Sequence, residues 1–145
     1  MKYLLDASAL VPLVTKAGKR LLIWATHEKI ITTDLAVYEA CSSLWKLATQ
    51  LKNISLKDAL DTTATIKELI DKEVIQTVTF ERLDLSRILR IASEEELTFY
   101  DASYIIAAEN AEAILVTEDK TLRRKASKHV KTTTYTNLER SVYKA

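Results

Sequence analysis

The chain has 145 residues, 48% hydrophobic and 28% charged, with a net charge of +1, which suits one domain over residues 1–145 and leaves only local patches for binding a polyanion. Gly, Pro, Cys and Met occur once each, excluding a collagen-like chain, a low-complexity linker, a disulfide scaffold and a four-thiolate zinc site. The lone Cys41, the lack of a long apolar run and the lack of a signal-peptide pattern lead us to expect a cytoplasmic protein without a membrane span.

Short apolar runs alternate with stretches of helical period, the pattern of a parallel sheet covered by helices on both faces. Lys2–Leu5 reads as a strand that stops at Asp6, and a helical run from Ala7 through Val14 follows, shortened or kinked by Pro12. Gly18 separates it from a helix over Leu21–Thr26, and Ile30–Thr32 is the next strand. Val37, Cys41, Leu44, Ala48 and Leu51 recur at helical spacing and mark a long helix over Thr33–Leu51. Ser55, with Asp58 three residues on, opens another. Val74–Val78 returns to strand character. Leu85, Ile88, Leu89 and Ala92 mark a helix that runs into Glu94, Glu95 and Glu96, whose charge opposes the dipole at a helix C-terminus. A helix over Asp101–Asn110, a strand over Ala113–Thr117, a helix over Lys120–Lys128 and a β-prone stretch over Val130–Tyr135 complete an α/β pattern of five strands and about seven helices. Trp24 and Trp45 lie in helical apolar patterns and read as core or interface residues, while the tyrosines are too scattered to suggest one aromatic platform.

In open parallel sheets ligands bind outside the carboxyl ends of the strands. Asp6 and Asp119 each follow a predicted strand and so fall at that edge, although either could simply cap the next helix. Asp101 shares a helix face with Tyr104, Ile105 and Ala108; a carboxylate directed inward needs a cation or several donors, unless it is only an N-cap. Glu39 differs, since at helical spacing it points away from the stripe of Val37, Cys41 and Leu44 and alone reads as solvated. Carboxylates gathered in one cleft would repel by about 4 kcal/mol per pair at about 4 Å with an effective dielectric near 20. Oxygen donors of this kind select Mg²⁺ or Mn²⁺, whereas His27, His129 and one cysteine cannot make a zinc site. Glu94–Glu96 reads as a solvated charge run.

Four blocks carry a resemblance: Leu4-Leu5-Asp6-Ala7-Ser8-Ala9-Leu10-Val11, Thr33-Asp34-Leu35-Ala36-Val37-Tyr38-Glu39, Leu97-Thr98-Phe99-Tyr100-Asp101-Ala102 and Ile114-Leu115-Val116-Thr117-Glu118-Asp119. In this order and at these separations they resemble the PIN-domain family of metal-dependent ribonucleases, most of all the VapC-type toxins of VapBC toxin–antitoxin pairs. The resemblance implies a three-layer α/β/α sandwich with a mostly parallel, about five-stranded sheet. It also implies a catalytic, metal-holding cluster of Asp6, Glu39, Asp101 and Asp119 with Mg²⁺ or Mn²⁺ as cofactor, and so promotes Glu39 from solvated to functional. Ser8 and Thr117 match supporting positions. One departure is Thr121, where family members often carry a further acid.

The implied activity is endonucleolytic hydrolysis of RNA by in-line attack of water, leaving a 5′-phosphate and a 3′-hydroxyl. Lys120, Arg123, Arg124 and Lys128 would span about 140° of one helix face just after Asp119, either a grip on the RNA backbone or a solvated face. A homodimer and a VapB-type antitoxin lying across the acid cleft are the implied partners. A stand-alone RNA-processing nuclease and a non-catalytic protein-binding module are the alternatives. A haloacid-type phosphatase is set aside because Ser8 stands where that chemistry needs a second aspartate.

Overall fold

Successive side chains of a strand point to opposite faces of its sheet, and β1 (Lys2–Leu5) buries both: Tyr3 and Leu5 enter one core and Leu4 the other. The same division holds in β2 (Lys29–Thr33), through Ile30 and Ile31, and in β4 (Ile114–Val116), through Val116 and Leu115. With β3 (Gln76–Val78) and β5 (Thr132–Thr133) these strands form a five-stranded, all-parallel sheet in the order β3-β2-β1-β4-β5. The computed structural model describes residues 1–143.

Helices cover both faces, so the layers are α/β/α. One face packs against α1 (Ala7–Pro12), α2 (Arg20–His27), α3 (Asp34–Trp45), α4 (Leu56–Asp71) and α8 (Tyr135–Tyr143), through residues such as Leu10, Trp24, Leu44, Ile66 and Leu138. The other packs against α5 (Leu85–Glu95), α6 (Phe99–Ala111) and α7 (Lys120–Ala126), through Ile88, Ile105 and Leu122 among others. Every residue from Ala102 to Ala108 is buried, so the middle of α6 is enclosed all round rather than along the single stripe of Tyr104, Ile105 and Ala108. The chain leaves β1 toward β2 and β3 on one side and returns to place β4 and β5 on the other. The carboxyl ends of β1 and β4 therefore form the switch point where parallel sheets place their ligands.

Several boundaries differ from expectation for identifiable reasons. Pro12 ends α1, and a π-helical turn over Leu13–Ala17 follows; a second, Lys46–Gln50, interrupts the long helix. That helix starts at Asp34 because the Thr33 hydroxyl accepts the Ala36 N–H. α6 starts two residues before Asp101, capped by the Thr98 hydroxyl, which accepts the Asp101 N–H at 3.1 Å. α5 tolerates its terminal acids because Glu95 meets Lys128 at 3.1 Å and His129 at 3.5 Å. Helix α7 stops at Ala126, which leaves Lys128 beyond it on a turn; it is not a member of the helix face expected over Lys120–Lys128. Helix α8 was not foreseen in the β-prone ending, of which only Thr132–Thr133 is strand. Trp24 is 4% exposed and belongs to the core, whereas Trp45 is 55% exposed. Among the described residues no helix is long and apolar enough to cross a membrane.

Candidate active site

Asp6 follows β1 directly and does two jobs with one side chain. Its Oδ1 accepts the Ala9 N–H at 3.1 Å, capping α1, and the Ser8 hydroxyl at 2.6 Å, while Oδ2 accepts the Thr117 hydroxyl at 2.5 Å. Ser8 and Thr117 in turn accept the N–H groups of Glu118 and Asp119, at 2.9 and 3.1 Å. Both hydroxyl protons point at Asp6, and both hydroxyl oxygens hold the turn between β4 and α7. The two strand ends of the switch point are thus braced across the Asp6 carboxylate. Asp6 is only 4% exposed, and burial pushes its carboxyl up to about 6 in spite of these donors.

Asp119 caps α7, accepting the N–H groups of Thr121 and Leu122 at 2.9 and 3.0 Å. Half-buried Asp101, in the first turn of α6, is held above the ordinary carboxylate range by burial and then by the charge of Asp119. Glu39 lies on the exposed side of α3, as its spacing predicts, yet that side faces the site, because Glu39 Oε1 accepts the Tyr104 hydroxyl at 3.1 Å. Burial pushes the Tyr104 phenol up, and the charges of Glu39 and then Asp6 push it further. Asp101 is thus coupled to Asp119, while Glu39 and Asp6 both act on Tyr104.

None of the ion pairs among the described residues includes any of these four acids. An all-oxygen donor set, with two members held above their ordinary range by burial, fits a hard divalent cation such as Mg²⁺ or Mn²⁺. Among the described residues the side chains do not already stand as a closed group of three metal ligands, so an ion would have to draw them together.

The expected basic face is divided. Arg123 is turned inward, its Nη1 donating to the Thr117 carbonyl at 2.9 Å, and Lys128 is committed to Glu95. Lys120 and Arg124 are exposed. An aromatic grouping that the linear sequence hid lies beyond the carboxyl ends of β2 and β3, where Phe80, Phe99 and Tyr100 line a cavity of about 150 Å³ with Leu35 and Leu83. A larger cavity, about 640 Å³, opens near Met1, Tyr3 and Lys131 and contains none of the four acids. Spacing missed Tyr104 as a site residue and Glu118 as the acceptor of the Tyr135 N–H at 2.6 Å; the signal for Tyr104 was its polar tip on the same helix face as Asp101, Ile105 and Ala108.

A parallel α/β/α sandwich with carboxylates gathered about its switch point defines the class. Residues 3–128 match the PIN domain model, and the chain belongs to the PIN domain family. It is 36% identical over 126 residues to Exonuclease VapC9 of Pyrobaculum aerophilum, covering 86% of each chain. The crystal structure of PAE2754 from Pyrobaculum aerophilum superposes with a TM-score of 0.76 at 28% identity, each chain being covered completely. VapBC2 of Rickettsia felis, solved bound to a DNA fragment from its promoter, shares the fold with a TM-score of 0.65 at 14% identity, over 92% of this chain and 98% of that one.

Proposed function

We propose that the chain, acting as a single domain over residues 1–145, is a Mg²⁺- or Mn²⁺-dependent endoribonuclease and the toxin of a type II toxin–antitoxin pair. The observation that carries this reading is the buried Asp6 carboxylate, braced by Ser8 and Thr117 across the switch point. Asp6, Asp101 and Asp119, assisted by Glu39, would hold the ion. The chemistry supplied on binding is activation of water and neutralisation of charge on the scissile phosphate. Ser8 and Thr117 keep Asp6 in one rotamer, and Arg123 fixes the carbonyl of Thr117, so the turn that carries Asp119 keeps its shape. Exposed Lys120 and Arg124 lie on α7, the helix that Asp119 caps, and can take phosphates of the substrate. Phe80, Phe99 and Tyr100 offer faces on which unpaired bases can stack.

The toxin assignment draws on the VapC-type names of the relatives, and with it come a VapB-type antitoxin, a homodimer and a cytoplasmic setting. A small antitoxin gene beside this one would separate a toxin from a stand-alone RNA-processing nuclease. The 36% identical relative is named an exonuclease, so the assay must separate the two modes of cleavage. Purified protein is incubated with linear and circular single-stranded RNA in Mn²⁺, Mg²⁺ or chelator. The reading predicts cleavage of both substrates, lost with chelator. Cleavage of linear RNA alone overturns the endonucleolytic part. No cleavage in any condition, with no metal binding by folded protein, moves the assignment to a protein-binding module.

A further inference from the structure

Three elements meet at the Tyr104 hydroxyl. The side chain comes from α6 and is 2% exposed. Its hydroxyl donates to Glu39 on α3 at 3.1 Å, and the backbone N–H of Ala7, directly after Asp6, faces the same oxygen. A buried phenol O–H is thus aimed at a carboxylate. Glu39 is otherwise an exposed glutamate on a helix face away from the apolar stripe, with free choice of rotamer. A buried, immobile donor removes that choice.

We propose that Tyr104 is a positioning residue whose hydroxyl fixes the Glu39 carboxylate on the Asp6 side of the cleft and so completes the acid set that receives the divalent ion. This rests on the metal-dependent reading above. The competing account is that a buried tyrosine hydroxyl simply needs an acceptor and Glu39 supplies one. The two accounts differ in direction. If Glu39 serves only Tyr104, loss of the hydroxyl changes packing and nothing at the ion; if Tyr104 serves Glu39, it weakens the ion's site through Glu39 alone.

The test compares wild type, Tyr104→Phe, Glu39→Gln and the double variant of the full chain, titrated with Mn²⁺ alone by calorimetry, with thermal unfolding measured alongside. Tyr104→Phe should weaken Mn²⁺ binding about tenfold, the low end of what loss of a supporting hydrogen bond costs a metal site. Glu39→Gln should weaken it at least as much, and the double variant should bind no worse than Glu39→Gln. Wild-type affinity in folded Tyr104→Phe overturns the proposal, and so does a further tenfold loss in the double variant. Should Tyr104→Phe fail to fold, 3-fluorotyrosine at position 104 of the otherwise native chain reports instead. Its fluorine resonance should move on Mg²⁺ addition and stay still in Glu39→Gln, whereas movement that persists without the Glu39 carboxylate overturns the proposal. Absence of Mn²⁺ binding by wild type is a separate result that removes the metal-dependent reading itself.

Discussion

Asp6 should make the metal-free protein less stable as pH rises, and Asp6→Asn should remove that penalty. Its carboxyl stands at about 6 in the folded chain against an ordinary 3.8, with burial as the main cause. Between those values the folded state holds a proton that the unfolded state has lost, so stability falls as pH rises through the window and the full cost is present above about 6. The difference corresponds to about 3 kcal/mol at pH 8. Half-buried Asp101, also raised, acts in the same direction. Asparagine preserves the shape and the acceptor for the Ala9 N–H, but its Nδ2 obliges one of the two hydroxyls to turn and accept. The net gain in Asp6→Asn is therefore about 1–3 kcal/mol at pH 8. For a domain of this size that raises the unfolding midpoint by about 2–10 °C. Near pH 4 the advantage disappears. Urea unfolding in chelator at pH 4, 6 and 8 measures this directly. An Asp6→Asn protein that is less stable than wild type at pH 8, or whose difference from wild type does not change with pH, would refute the reasoning. Added Mn²⁺ should reverse the order by stabilising wild type alone.

Thr117→Val keeps the volume but removes a donor to Asp6 and the acceptor of the Asp119 N–H; it should cost about 1.5–3 kcal/mol in denaturant unfolding, and a loss below half that range would contradict the bracing role. Lys120→Ala with Arg124→Ala should weaken RNA binding at every sequence and lower the slope of log K against log salt by about 1 per cation. Filter binding across a salt series checks this, and an unchanged slope would return both cations to a solvated face. Glu112 ends α6 at φ 54°, a left-handed conformation that disfavours side chains. Glu112→Gly should stabilise by about 1 kcal/mol in the same unfolding assay, and destabilisation would show that the Glu112 side chain matters more than its backbone.

The sheet could be read from the sequence where the core alone decides it. β1, β2 and β4 bury side chains on both faces, and a continuous apolar run is the direct trace of that burial. Asp6 and Asp119 were legible for a related reason, since a strand end and a helix cap are local features and each acid serves as both. Ser55 and its bond to the Asp58 N–H were legible in the same way. Glu39 was not, because what gives it a place is a hydroxyl 65 residues away on a helix that its own periodicity cannot see. Only resemblance to a family raised it. The surroundings of the basic segment were hidden for the same reason: Arg123 and Lys128 look alike in a helical projection, yet one bonds a carbonyl and the other an acid on α5. Phe80 lies some twenty residues from Phe99 and Tyr100, and only the order β3-β2-β1 brings their cavity to the sheet's carboxyl edge.

The central claim is that these carboxylates carry out metal-dependent hydrolysis of RNA, and Asp101→Asn tests it most directly. The variant removes one charge while keeping its shape and the cap made by Thr98, which bonds the Asp101 backbone. Cleavage of a mixed single-stranded RNA pool with Mn²⁺ is followed beside thermal unfolding, with the ends of the products determined. The account predicts normal folding, loss of cleavage, and wild-type products that end in 5′-phosphate and 3′-hydroxyl. Full activity in folded Asp101→Asn would contradict it.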